Sequence, residues 1–152
     1  MPEQNLKEYL LKTPSWNKWE SIGAQKRAGV LIPLFSVYSR KSIGIGELRD
    51  LKPLIDWAKL SGNSIIQLLP LNELGLFFCP YDSISSFALE PAYISLEEIP
   101  GANKSSIKAR IKQLRKESPA CKLHVDYRIK KEKLTVLWDI FADESRNIPQ
   151  EL

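Results

Sequence analysis

The sequence predicts an α/β fold in which one helix joins two parallel strands. Residues 29–35 and 65–69 are short apolar runs, a strong helical period fills about residues 47–60 between them, and glycines punctuate the changes of pattern. Runs too short for helices and bounded by glycine or polar residues read as buried strands. A parallel pair needs a crossover of this kind, which is almost always right-handed. The strands start about 35 residues apart, a spacing that suits one repeat of an α/β barrel or an open parallel sheet.

The elements follow in order. Residues 3–12 read as a short helix with Leu6, Tyr9 and Leu10 on one side, ended by Pro14. "SIGIGELRD" is a glycine-punctuated loop that opens the crossover helix. Leu51, Leu54, Ile55 and Ala58 share one face of that helix,. Glu47 and Asp50 fall early, where the helix dipole favours negative charge. Pro53 reads as a first-turn proline or a kink, which moves the start towards Lys52. Gly62 is the natural C-terminal cap. From Leu71 to about Pro100 no period runs. Two basic helices are expected over residues 105–116 and 126–144. On the second, Leu134, Leu137, Trp138 and Phe141 form an apolar stripe expected to face the core, and the Lys and Arg residues between 104 and 133 are expected on the outer faces,.

Composition bounds the function. The 152 residues, 43% hydrophobic and 26% charged, are ordinary for one globular domain,. A net charge of +4 is too small to argue for nucleic acid,. The N-terminus is charged within its first ten residues and does not read as a signal peptide,. No stretch approaches the roughly 18–20 apolar residues of a membrane span, so the cytoplasm is the expected location. Cys79 and Cys121 form no CxxC pair and read as free, buried thiols,. With one histidine, His124, there is no metal-ligand spacing,.

Several chemistries fail on their motifs. The third glycine of a dinucleotide fingerprint would fall at Arg49,. A phosphate-binding GxxxxGK[ST] and a nucleophile-elbow G-x-S-x-G are absent,. Asp56, Glu73, Asp82 and Glu90 lie in or near the irregular segment, and Asp82 and Glu90 read as ties for the loop backbone,.

The informative stretch is "CPYDSISSFALEPAYISL", residues 79–96, with two tyrosines, two prolines and four serines. It follows the carboxyl end of the second strand, where parallel α/β folds bind their ligands. Aromatic faces and hydroxyls there suit an uncharged, polyhydroxylated ligand, because a sugar ring offers C–H faces to an aromatic ring and hydroxyls to hydrogen-bonding partners.

Four pieces, "RAGVLIPLFSVYS", "SIGIGELRDLKPLIDWAKLSGNSIIQLLPLNE", "CPYDSISSFALEPAYISLEEI" and "VDYRIKKEKLTVLWDIF", cover about residues 27–141. In content and order they resemble the N-terminal portion of the amylomaltases, or 4-alpha-glucanotransferases. The resemblance implies the start of an alpha-amylase-like (β/α)8 barrel with inserted helices, incomplete in this chain. It implies transfer of 4-alpha-glucan segments between maltooligosaccharides by a retaining double displacement, with no cofactor. The nucleophile and acid–base carboxylates would lie on later strands, so no catalytic residue is expected in residues 1–152. Tyr81 matches a tyrosine that stacks on bound glucan. Cys79 stands where many members have serine, and Asp82 where others often have glutamine. Ser83 and Ser85 match the motif, while Phe87, Pro91 and Tyr93 are assigned to packing. Tyr81, Ser83, Asp82 and Cys79 are therefore the candidate substrate-binding residues.

The expected organisation is a helical lead-in over residues 1–25 and the first part of the barrel over 26–152, with a helical insertion from about 101. The expected partners are maltooligosaccharides or glucans derived from starch or glycogen, with no nucleic acid and no membrane. Two strands fall far short of a barrel of roughly 250 residues, so this polypeptide is expected to be a fragment, catalytically silent by itself. The competing readings are a non-catalytic alpha-glucan-binding protein, a related alpha-glucan hydrolase, and a basic helical protein that binds an acidic partner through residues 104–133.

Overall fold

The structure is a computed structural model that describes residues 3–23, 25–75, 79–120 and 124–145. Two short helices, α1 (Glu3–Leu11) and α2 (Trp16–Ile22), precede strand β1 (Gly29–Ile32). Helix α3 (Leu51–Leu60) crosses over to strand β2 (Ile65–Leu68), and α4 (Ser105–Glu117) and α5 (Arg128–Ser145) follow the long irregular segment. The strands pair in parallel, Gly29 opposite Ile65 through Ile32 opposite Leu68. The βαβ unit is therefore present where the apolar runs placed it; α2 was not foreseen.

Local chemistry explains the boundaries. Pro33 stops β1 early because it has no N–H to give a ladder; its carbonyl instead accepts from Ser36 N–H at 3.1 Å, and residues Leu34–Ser36 wind into a 3₁₀ turn. Pro53 lies in the first turn of α3, where its missing N–H costs nothing,. Gly62, at φ +76°, closes α3. Its N–H meets the Lys59 carbonyl at 3.2 Å and Asn63 N–H meets the Ala58 carbonyl at 2.8 Å, the double bond of a Schellman cap.

Three expectations about burial change. Both strands alternate between exposed and half-buried residues rather than being buried throughout. Each has a single strand partner among the described residues, and Leu31 is 60% exposed. On α5 the buried face is Ile129, Lys133, Val136 and Ile140, while Leu134, Trp138 and Phe141 are exposed and only Leu137 packs against the core. Two apolar stripes run along this helix, and the one with the smaller side chains faces inward. The third concerns the basic residues: Lys133 is fully buried and the Lys130 side chain largely so, against the outer placement expected for them.

The core lies on the helical side of the molecule. Leu34, Ile43 and Ile45 from the segment after β1 meet Tyr93 and Leu96, Ile111 and Leu114 of α4, and Ile129 and Val136 of α5. The sheet is at its margin.

Candidate functional site

The segment after β2 folds back on itself. Asn72 bridges Leu89 and Leu74 bridges Ser83, both antiparallel. Glu73 N–H donates to the Ala88 carbonyl at 2.8 Å, Ile84 N–H to the Glu73 carbonyl at 2.9 Å, and Glu90 N–H to the Leu71 carbonyl at 2.9 Å. These bonds make an irregular hairpin with its tip near residues 79–83. Asp82 N–H closes that tip on the Cys79 carbonyl at 3.0 Å. Ser85 Oγ accepts from Phe87 N–H at 3.3 Å and Ala88 N–H at 2.9 Å, the turn-holding use of a serine hydroxyl.

The four candidate residues are neighbours at this tip, and all four are exposed. Tyr81 is 75% exposed, so its ring face is open to a ligand. Cys79 is a free thiol but exposed rather than buried; Cys121 lies outside the described residues. Phe87, assigned to packing from the sequence, is 96% exposed. The Ser85 turn directs the chain outward there, so the ring joins Tyr81 on the surface of the loop. Tyr93 is buried as expected, and Pro91 opens a 3₁₀ turn over Pro91–Tyr93. Burial, with Glu90 nearby, pushes the Tyr93 phenol up to about 12.

Beneath the tip, Glu90 holds both legs of the hairpin. Its Oε2 accepts from Leu74 N–H at 2.8 Å and from Lys130 Nζ at 3.0 Å, and its Oε1 accepts from Ala92 N–H at 3.1 Å. The expected backbone tie is therefore made by Glu90. Asp82 instead takes part through its backbone.

A second, deeper network was not foreseen. Lys133 Nζ donates to Glu47 Oε1 at 2.7 Å and to the carbonyls of Ala92 and Ile94 at 2.7 and 3.1 Å. Glu47 Oε1 also accepts from Ile43 N–H at 3.2 Å, and Arg49 Nε lies 3.0 Å from Glu47 Oε2. Arg49 continues to Glu97 at 2.9 Å, and Arg115 of α4 reaches the same carboxylate at 2.6 Å. Asp50 Oδ2 accepts from Ser42 Oγ and Glu47 N–H at 2.7 and 2.8 Å. Glu47 and Asp50 thus knit the loop before α3, beyond the dipole role their positions suggested. Burial pushes the Glu47 carboxyl up despite Lys133 and Arg49, and pushes the Lys133 ammonium down despite Glu47,. The one sequence signal that could have revealed this network was a lysine on the apolar side of a helix otherwise rich in exposed charge.

Among the described residues no group of three or more His, Cys, Asp or Glu could hold a metal ion, and no helix is long and apolar enough to cross a membrane.

Comparison with known proteins decides the family. Residues 32–151 match the sequence profile described as 4-alpha-glucanotransferase. The chain belongs to the 4-alpha-glucanotransferase family. It is similar to the 4-alpha-glucanotransferase of Chlamydia pneumoniae, 47% identical over 96 residues, which are 63% of this chain and 18% of the relative. The corresponding protein of Chlamydia trachomatis serovar D is 36% identical over 128 residues, 83% of this chain and 24% of that one. A rice 4-alpha-glucanotransferase (Oryza sativa subsp. japonica) is 39% identical over 127 residues, 80% of this chain and 13% of that one. The chain thus spans a quarter or less of each of these relatives. In three dimensions it resembles part of amylomaltase from Corynebacterium glutamicum, with a TM-score of 0.69 at 23% identity, over 88% of this chain and 21% of that one. That likeness shows a shared fold.

Proposed function

We propose that the chain is the opening part of an amylomaltase-type (β/α)8 barrel, incomplete in these 152 residues, and that its 79–89 loop forms one wall of an alpha-1,4-glucan cleft. Residues 1–25 would lead in and 26–152 begin the barrel, with the helical insertion from about 101. The observation that carries the binding role is Tyr81, 75% exposed on a loop whose two legs are held at Leu74 and Glu90. An open aromatic face on a fixed support can take the C–H face of a glucose ring. The neighbouring Ser83 hydroxyl and Asp82 carboxylate are exposed beside it and supply polar partners for sugar hydroxyls,. Cys79 contributes less, because a thiol is a weak donor.

The whole enzyme would transfer 4-alpha-glucan segments between maltooligosaccharides through a covalent glycosyl-enzyme. A retaining reaction of that kind needs two carboxyl groups about 5–5.5 Å apart across the scissile bond. Glu90 is unsuited to either role, since backbone N–H groups and Lys130 hold both of its oxygens. The reacting carboxylates would come from later strands of the barrel.

Two assays test the reading. Incubated with maltotriose, the chain alone should leave it unchanged; new longer oligosaccharides would contradict the assignment of the reacting groups, and a rise in reducing ends would point to hydrolysis. Retention on immobilised maltoheptaose should be measurable for the wild type and lost in Tyr81→Ala. Equal behaviour of the two proteins in the second assay removes Tyr81 from the cleft.

A further inference from the structure

The hairpin pairs residues 83–89 with residues 72–74, so where the loop stands depends on what holds those two legs. Its two legs are Leu74, fully buried, and Glu90, 1% exposed. Lys130 of α5 meets both, because its Nζ donates to the Leu74 carbonyl and to Glu90 Oε2. With Glu90 Oε2 also accepting from Leu74 N–H, the carboxylate and the ammonium together hold both backbone polar groups of Leu74. One turn further along α5, Lys133 Nζ donates to the carbonyls of Ala92 and Ile94, just past the second leg, and to Glu47 before α3. An ammonium has three donors, and these acceptors use all three.

Burying two lysines on one helix face is costly, and apolar residues there would pack without that cost. What apolar residues cannot supply is direction. Hydrogen bonds from a fixed helix to backbone carbonyls set position along and across the chain, whereas apolar packing tolerates sliding. We propose that Lys130 and Lys133 are positioning residues: α5 acts as a clasp that fixes the chain at Leu74 and from Glu90 to Ile94, and with it the stance of Tyr81. Lys133 anchors the far side of the clasp to the β1–α3 loop, and Lys130 closes the near side on the two legs. This deepens the glucan-wall reading and rests on it for the sugar readout alone.

The test uses the full chain as wild type, Lys130→Met and Lys130→Arg. Methionine keeps the apolar stem and removes the donors, while arginine restores donors. Amide exchange at Glu73, Leu74, Ile84 and Glu90 should speed up by about tenfold or more in Lys130→Met, with the amides of β2 and α4 unchanged. Lys130→Arg should return the loop towards wild-type exchange. Affinity for maltoheptaose should fall in Lys130→Met and recover in Lys130→Arg, measured well below the thermal midpoint of every variant. Unchanged exchange in the loop overturns the clasp, and so does a uniform rise across the whole chain, which a merely structural lysine would produce. A released loop with undiminished sugar affinity overturns the positioning role. If the loop is released but even the wild type retains no maltoheptaose, the clasp is supported and the glucan reading falls. Should Lys130→Met fail to fold, Glu90→Gln loosens the same junction and must release the same amides.

Discussion

Lys133→Met probes the deepest polar junction in the chain. The substitution keeps most of the side-chain volume and deletes an ammonium that is fully buried against Glu47 Oε1, 2.7 Å away, and two backbone carbonyls. Removing one member of a buried ion pair typically costs about 3–5 kcal/mol, because the other charge is left uncompensated. Each orphaned carbonyl adds a desolvation cost of about 1 kcal/mol or more. Arg49, 3.0 Å from Glu47 Oε2, offsets part of this. A loss of about 4 kcal/mol is therefore expected, a large share of the roughly 5–15 kcal/mol that holds a domain folded.

Acid should shrink that loss. Burial already raises the Glu47 carboxyl above its ordinary 4.5 in the wild type. The stability contribution of such a group is full below its unfolded value and is lost as pH rises through the folded one. Removing Lys133 raises the folded value further, so the gap between variant and wild type narrows as pH falls from neutrality towards 4.5. The assay is urea unfolding followed by far-UV circular dichroism at neutral and mildly acidic pH. In the double variant Glu47→Gln/Lys133→Met the losses should be less than additive by about 1–3 kcal/mol. A single-variant loss below about 1 kcal/mol would show that the pair is not the junction described here, and a gap that widens in acid would refute the electrostatic account.

Other expectations are more local. A Cβ at position 46 would lie 2.1 Å from the Leu34 carbonyl oxygen and 2.3 Å from that of Val37, so Gly46→Ala should lower stability by about 3 kcal/mol or more, visible in the thermal midpoint. Trp138→Ser, on the exposed stripe of α5, should change stability by no more than about 0.5 kcal/mol in the same measurement. Glu97 should shape the acid limb. Burial, the largest single influence, acts upward on its carboxyl, but hydrogen bonds and charges from Arg115 and Arg49 outweigh it and leave the carboxyl below 4.5. Its contribution is then present above pH 4.5 and lost as pH falls through the lower folded value,. Glu97→Gln should consequently flatten the fall in stability below that pH, read by unfolding across a pH series.

The parts of the fold that could be read from sequence are those whose causes are local. The βαβ unit follows from two short apolar runs, a helical period and a glycine able to take φ +76° at the helix end. The loop motif around Tyr81 could be placed because it directly follows β2. Burial was less legible where two patterns competed. On α5 the aromatic stripe of Trp138 and Phe141 outweighs the Ile129–Val136–Ile140 stripe by size, yet the latter faces the core. That face also carries Lys133, whose acceptor on Glu47 is 86 positions away in sequence. No window-based reading links those two residues. Phe87 fails for a related reason: its aromatic character suggested packing, but the hydroxyl of Ser85, two residues earlier, sets the turn that points it outward.

These misreadings share a physical origin that bears on function. The core is assembled around α4, α5 and the segments that follow β1 and precede α4, and the two strands stand at its edge. The loop after β2 is consequently tied to the helices rather than to the sheet: Leu74 and Glu90 to Lys130, Ala92 and Ile94 to Lys133. The proposed glucan wall, fixed in this way, would not depend on the strand edges for its shape. Polar ties buried on α5 cost more than apolar packing, and that cost is understandable if the helix must set the stance of an exposed tyrosine rather than only cover a core. The same logic explains why aromatic side chains on the loop tip are left in solvent while a lysine is taken inside. Under the proposed reading the rings stand open to a ligand, and the ammonium groups would hold in place the backbone that presents them.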